Sequence, residues 1–363
     1  MEAIATTTPL IHSRVPLHQD TQLWHSHAPL ALDSGELLPE YELAWRCWGK
    51  LNSKRDNAVL VVHALSGSAD LEAWWPELLG AGKPLDPEHD FVICINLLGS
   101  CYGSSGPLTL NPYNHRPWRS AFPRISVRDQ VRTQSALIEH LGIQQLRIIG
   151  PSLGGMIALE WALLKPELVH SLTLIATTAA HSAQAIANSE CQRAAIRLDP
   201  SFNNGDYPIE QQPQHGLALA RRLAFIGYRC SEEFSERFGR VGGQQQSFSV
   251  LDYLSHQGEK FVRRFDANSY IRLTECMNSH DVGRGRGSTE AALQTISQPC
   301  LVLSLDSDQL YPPAEQQFLA EHLPNVQHRV IRSRYGHDGF LIETEAVAAV
   351  LTPFLRSTET HST

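Results

Sequence analysis

The chain has 363 residues, 42% of them hydrophobic and 19% charged, enough to bury a large core as one domain or as a domain with an insertion. Its formal net charge of −8 and pI near 6.1 oppose the broad basic surface that duplex nucleic acid or an anionic membrane would need. Seven cysteines, odd in number and without a CxxC pair, point to buried reduced thiols rather than to a disulfide framework or a zinc knuckle.

The opening MEAIATTTPLIHSRV has no basic start followed by a long apolar run. No later segment approaches the roughly 18 uncharged apolar residues of a membrane helix, so the expectation is a cytoplasmic protein with no membrane partner. In PLALDSGELLPEYELAWRCWG, apolar stretches flank a turn-like DSGELLP, which predicts an antiparallel strand pair. Short apolar runs follow at AVLVVHAL (58–65), FVICINLL (91–98), QLRIIG (145–150), SLTLIATT (171–178), PCLVLSL (299–305) and HRVIRS (328–333). Their unbroken apolarity predicts strands covered on both faces. Helical patterns lie between them at RDQVRTQSALIEHLG (128–142), LGGMIALEWALLKPE (153–167) and AEQQFLAEHL (314–323), so the expected fold is a mainly parallel α/β sheet flanked by helices.

The alternation stops between about 180 and 295. There HSAQAIANSECQRAAIRL, HGLALARRLAFIGYR and SVLDYLSHQGEKFVRRF read as helices and no strand pattern stands out. This predicts a core of residues 1–179 and 296–363 with a helical lid, 180–295, inserted above the strand ends. GRGRG (283–287) reads as an exposed loop.

Gly150-Pro151-Ser152-Leu153-Gly154 fits the GxSxG elbow, with a strand before it and a helix after it. The glycines have a steric purpose, since a sharp strand-to-helix turn strains the serine and brings neighbouring chain close. A serine hydroxyl is a poor nucleophile unless a base takes its proton. His337 in RYGHDGF follows a strand, precedes a helical pattern and comes after Ser152 in the expected chain order. An acid must orient it, and LVLSLDSDQLYPP offers Asp306 and Asp308. The backbone N–H groups of Leu153, at the helix N-terminus, and of Leu65, in the strand-end turn HALSG, are candidates for an oxyanion hole.

Together HALSGSAD, WWPELLGAGKPLD, NLLGSCYGSSGP, FPRISVRDQVRTQ, GPSLGGMIALEWA, ATTAAHSAQAIANSECQRAAI, GLALARRLAFIGYR, SDQLYPP and YGHDGF carry a closer resemblance. Over nearly its whole length the chain resembles the homoserine O-acetyltransferases of the α/β-hydrolase superfamily. The resemblance implies an α/β-hydrolase fold and a catalytic Ser152, Asp308 and His337, which decides between the two aspartates. It also implies substrate contacts from Arg221, Tyr228 and Asp338. The chemistry agrees, because an amino-acid acceptor is a zwitterion whose carboxylate suits a guanidinium and whose ammonium suits a carboxylate. On a helix, Arg221 and Tyr228 share a face with Leu217 and Ala224.

The implied reaction is ping-pong acetyl transfer from acetyl-CoA to the homoserine hydroxyl through an acyl-Ser152 enzyme, a step of methionine biosynthesis. It requires no metal or bound cofactor, acyl-CoA serving only as co-substrate, and the family forms homodimers through the lid. The chain departs from the common pattern at three places: Ser68, the pair Ser104-Ser105, and Leu153. The first two bear on donor and acceptor choice, because relatives of this fold use succinyl-CoA or accept serine. An esterase or thioesterase would keep the same triad without a zwitterion site.

Overall fold

The computed structural model describes residues 13–240, 242 and 248–358. The segment 1–12, which carries most of MEAIATTTPLIHSRV, lies outside the described residues. Among the described residues the strands run in chain order: β1 (Gln22–Ser26), β2 (Leu30–Ala31), β3 (Leu37–Leu38), β4 (Tyr41–Trp48), β5 (Ala58–Val61), β6 (Phe91–Ile95), β7 (Leu146–Pro151), β8 (Val169–Ile175), β9 (Cys300–Leu305) and β10 (Val326–Ile331). The helices are α1 (Leu71–Trp74), α2 (Val127–His140), α3 (Leu153–Leu164), α4 (Ala183–Arg197), α5 (Gln214–Tyr228), α6 (Ser231–Arg237), α7 (Ser249–Val262), α8 (Ala267–Asn278), α9 (Thr289–Gln294), α10 (Pro313–His322), α11 (Gly339–Ile342) and α12 (Thr344–Ser357).

Eight strands form one sheet in the order β1-β4-β6-β5-β7-β8-β9-β10. Pairing is parallel from β6 through β10 and antiparallel at β1–β4 and β4–β6. The antiparallel pair expected on either side of DSGELLP is tighter than predicted: β3 lies inside that stretch and pairs with β2, Leu30 opposite Leu38, while the following YELAWRCW, β4, pairs with β1. Alternate residues of a strand point to opposite faces, and here both faces are buried. Leu60, Ile148, Leu172 and Val302 enter the core shared with α2, α3 and α10, whereas Val59, Ile149, Ile175 and Leu301 face the core closed by α1 and α12. That double coverage explains the continuous apolar runs. The edge strand β10 departs from it: Gln327, Arg329 and Val330 are exposed, so the prediction of two covered faces does not hold there.

The capping box of α2 stands just before the helix, Ser126 Oγ accepting from Asp129 N at 3.2 Å while Ser126 N donates to Asp129 Oδ2 at 2.9 Å. Between β8 and β9 lie the six helices α4 to α9 and no further strand among the described residues, apart from the isolated bridges Ala180–Asp281 and Gly242–Phe248. The loop 283–287 is only partly the free surface loop expected. Arg284 pairs with Asp33, and Arg286 Nη2 reaches the buried Glu160 at 2.8 Å, fastening this segment to α3. Five of the thiols are buried as expected, but Cys191 is exposed and Cys47 half-buried.

Candidate active site

Reversal of strand order on either side of β5 opens a crevice at the C-terminal ends of the parallel strands, the usual ligand position in such sheets. The turn from β7 into α3 lies there. Ser152 sits at φ 56°, ψ −123°, a backbone region that costs a non-glycine residue about 1–3 kcal/mol. The strain is held by Ser152 N donating to Ile175 O at 2.9 Å and by Thr177 Oγ1 donating to Ser152 O at 2.8 Å. The flanking glycines permit close approach: a Cβ on Gly150 would lie 2.2 Å from Gly154 backbone, and one on Gly154 would lie 2.0 Å from Val62 O.

His337 Nε2 lies 2.9 Å from Ser152 Oγ, and His337 Nδ1 lies 2.7 Å from Asp308 Oδ2. An ionised carboxylate only accepts, so Nδ1 carries the proton and Nε2 is free to accept from the serine hydroxyl. All three side chains are buried. Asp308 reaches this position because β9 ends three residues earlier and its Oδ1 accepts from Leu310 N at 2.8 Å and Tyr311 N at 3.0 Å. The runner-up Asp306 is exposed and accepts from Ser333 N at 2.8 Å instead, away from the imidazole.

Burial alone would lower the His337 pKa, but the charge and hydrogen bond of Asp308, with a contribution from Asp338, leave it raised above the ordinary histidine value. The rings of Tyr228, Tyr311 and Phe340 stand 5.9, 5.3 and 5.5 Å from the imidazole. Gly336, at φ +60°, brings the histidine loop against α5, where an added Cβ would meet Tyr228 O at 2.5 Å.

Leu153 and Leu65 are both buried, and neither backbone N–H donates to a protein acceptor among the described residues. Leu153 opens α3, whose first N–H groups have no partner within the helix. Leu65 follows β5, whose end packs on Gly154 through Val62 O.

Arg221 and Tyr228 share a face of α5 with the buried Leu217 and Ala224. The guanidinium is not a surface appendage: it lies 4.5 Å from the Phe225 ring centre, 4.6 Å from Phe261 and 5.5 Å from Tyr228, and its Nη1 is buried without a hydrogen-bond partner. Burial raises the Tyr228 pKa while Arg221 opposes the rise. Asp338 does not meet Arg221 directly. It pairs with Arg229 Nη2 at 3.1 Å, a residue the sequence reading passed over although it adjoins Tyr228. Tyr311 and His63 are likewise not marked out by the sequence, since SDQLYPP and HALSGSAD each carry another candidate, Asp308 and Leu65.

The departures at Ser104 and Ser105 are tied into the fold by buried hydrogen bonds. Ser104 Oγ accepts from Ala44 N at 3.0 Å and donates to Asn96 O at 2.7 Å, and Ser105 Oγ accepts from Glu42 N at 2.9 Å. A cavity of about 820 Å³ lined by Asp33, Arg124, His181, Glu190, Arg193 and Arg284 includes none of Ser152, Asp308 and His337. Its arginines are largely spent on acids, Arg193 on Glu190 and Arg284 on Asp33.

Comparison with known proteins agrees with this architecture. The family described as alpha/beta hydrolase fold matches residues 57–344. A homoserine O-acetyltransferase of Trichormus variabilis is 49% identical, the match covering 94% of this chain and 95% of that protein. Among solved structures, homoserine O-acetyltransferase from Bacillus anthracis superposes with a TM-score of 0.86 at 25% identity, covering 93% of this chain and 98% of that one. Esterase E22 superposes with a TM-score of 0.84 at 25% identity, covering 92% and 99%. Sequence and fold therefore agree on one assignment: the chain belongs to the homoserine O-acetyltransferase family of acyltransferases, built on the α/β-hydrolase fold.

Proposed function

We propose that this chain transfers the acetyl group of acetyl-CoA to the hydroxyl of L-homoserine through an acyl-Ser152 intermediate, a step of methionine biosynthesis. His337 takes the Ser152 proton as Oγ attacks the thioester carbonyl, and the imidazolium formed is held by Asp308. The tetrahedral oxyanion is received by the N–H groups of Leu65 and Leu153, each worth about 3–4 kcal/mol in comparable sites. The intermediate collapses, CoA leaves as the thiol, and His337 is restored. Homoserine enters with its carboxylate on Arg221 and Tyr228 and its ammonium on Asp338. Its hydroxyl gives its proton to His337 and attacks the acyl-enzyme, and O-acetylhomoserine leaves.

The observation that carries this reading is the hydrogen-bonded line Ser152–His337–Asp308 in a chain 49% identical to a homoserine O-acetyltransferase. Arg221 supports the acceptor assignment, because a buried guanidinium nitrogen without a partner is costly until an anion satisfies it. Asp338, already on Arg229, receives the ammonium as a second cation on one carboxylate. No metal or resident cofactor takes part. The segment 180–295 serves as a lid that keeps water from the acyl-enzyme, since the same intermediate would otherwise hydrolyse. We place the enzyme in the cytoplasm as a homodimer. No helix among the described residues is long and apolar enough to cross a membrane.

The test is to supply purified protein with acetyl-CoA or succinyl-CoA and with homoserine, serine or water alone, following thiol release and acylated product. Acetyl transfer to homoserine, lost in Ser152→Ala, is expected. Thiol release with no acylated amino acid would leave an esterase or thioesterase, and preference for serine or succinyl-CoA would move the enzyme to another pathway step.

A further inference from the structure

The loop after β5 has its carbonyls gripped by side chains at every second residue. Ala64 O lies 2.8 Å from His63 Nδ1 and accepts from Gly67 N at 2.9 Å. Ser66 O accepts from Arg264 Nη1 at 2.8 Å, and Ser68 O accepts from Trp74 Nε1 at 3.0 Å. Arg264 follows α7, and the same Nη1 donates to Tyr102 Oη at 2.6 Å.

The partners of His63 fix its tautomer. Leu97 N donates to Nε2 at 3.2 Å, so that nitrogen holds a lone pair, the proton sits on Nδ1, and Nδ1–H donates to Ala64 O. The ring is fully buried, and burial pushes its pKa down to about 4, so it stays neutral through the working pH range.

The Ala64 carbonyl and the Leu65 N–H belong to one peptide unit. In a trans peptide the two point in opposite directions, and no cis bond occurs among the described residues. Whatever fixes the carbonyl therefore fixes the direction of the N–H. The unit lies beside the nucleophile turn, because a Cβ on Gly154 would lie 2.0 Å from Val62 O and 3.4 Å from His63 O.

We propose that His63 is a positioning residue of the acyl-transfer reaction: its Nδ1–H, with Arg264 securing the next carbonyl but one, locks the Ala64–Leu65 peptide so that Leu65 N–H faces the oxyanion. The inference rests on the acyl-transfer reading given above. It also joins the segment bearing Arg264 to the oxyanion loop, so that one guanidinium ties helical segment and sheet together at the place where negative charge develops.

Paired substitutions separate this role from simple core filling. Asn places an amide N–H near the position of Nδ1 but loses the acceptor for Leu97 N, whereas Gln keeps that acceptor and loses the donor to Ala64. His63→Gln is expected to lower kcat about 10- to 100-fold with KM for both substrates within about twofold, and His63→Asn is expected to stay within about fivefold of wild type. Rates are taken per Ser152 titrated by the burst of thiol release, which counts only folded sites. Equal losses in both variants, or none in His63→Gln, would overturn the proposal.

Should His63→Gln not fold, Arg264→Met carries the same comparison from a half-buried position, and an unchanged kcat there would overturn it equally. Hydrolysis of p-nitrophenyl acetate is followed in parallel. A wild type that hydrolyses this ester but transfers nothing to homoserine would defeat the function while still reporting whether His63 orients the oxyanion donor.

Discussion

The strand ends and the helical segment between β8 and β9 hold their polar groups in contrasting ways. At the strand ends, Ser152, His337 and Asp308 are buried and bonded to one another, with Asp308 further fixed by two backbone N–H groups. In the helical segment, Arg221 is held by the faces of three rings and leaves Nη1 unpartnered, while Arg222 Nε and Arg229 Nε are likewise buried without a hydrogen bond. Leu219, Leu223 and Ile226 on α5 are exposed. The contrast teaches a division of labour. The proposed bond-making groups already satisfy one another, whereas the proposed recognition group Arg221 keeps a buried donor open for a ligand.

The largest effect that would break this comparison is expected at the acid. Asp308→Asn leaves the fold in place but offers His337 Nδ1 an amide in place of a charge, so kcat for thiol release should fall about 10⁴-fold. A loss below tenfold would show that the line of hydrogen bonds is not the reacting one. Next comes the turn itself. Gly154→Ala drives a Cβ into Val62 O, and urea melts should show a loss of about 3 kcal/mol.

Arg221→Ala probes the other side of the contrast. It should reduce kcat/KM for homoserine about 10- to 100-fold and leave p-nitrophenyl acetate hydrolysis nearly intact; parallel loss in both assays would make Arg221 a structural residue. Arg286→Met removes one of the two arginines on buried Glu160 and should destabilise the chain by about 1–2 kcal/mol in the same melts, without changing kcat.

The smallest effect lies in the pH profile. The proposed mechanism uses neutral His337 as the base, and its pKa is raised, so activity should fall as pH drops through that raised value, with the acid limb of kcat/KM above the usual histidine value near 6.5. Asp338→Asn removes one of the charges that raise it and should move the limb to lower pH. An unmoved limb would mean that Asp338 is fully neutralised by Arg229.

Much of this was legible in the sequence, for reasons specific to each element. Strands β5 to β9 were readable because burial on both faces demands unbroken apolar runs. The edge strand β10 misled in the one respect that an edge has no covering on its outer side. GPSLGG was readable because the turn forbids side chains at fixed positions, and that steric rule is written locally. The choice between Asp306 and Asp308 was not local: the residues stand two apart, and only the direction taken by the loop after β9 sends Asp308 to the imidazole and Asp306 to Ser333 N. The partners of Ser104 and Ser105, on β4 and at Asn96 just past β6, were likewise not legible, because they lie 8 to 63 residues away in the chain.

By itself the sequence determined the layered α/β fold, the nucleophile turn, the histidine loop and the face of α5, because apolar periodicity, close-approach glycines and helical spacing all act over a few residues. The tertiary structure alone decided that Arg229 reaches Asp338, that Arg221 is caged by Phe225 and Phe261, and that His63 grips the peptide of Leu65. Contacts such as Arg264 to Ser66, 198 residues apart in the chain, depend on how helices and sheet pack together, and no local pattern records that packing.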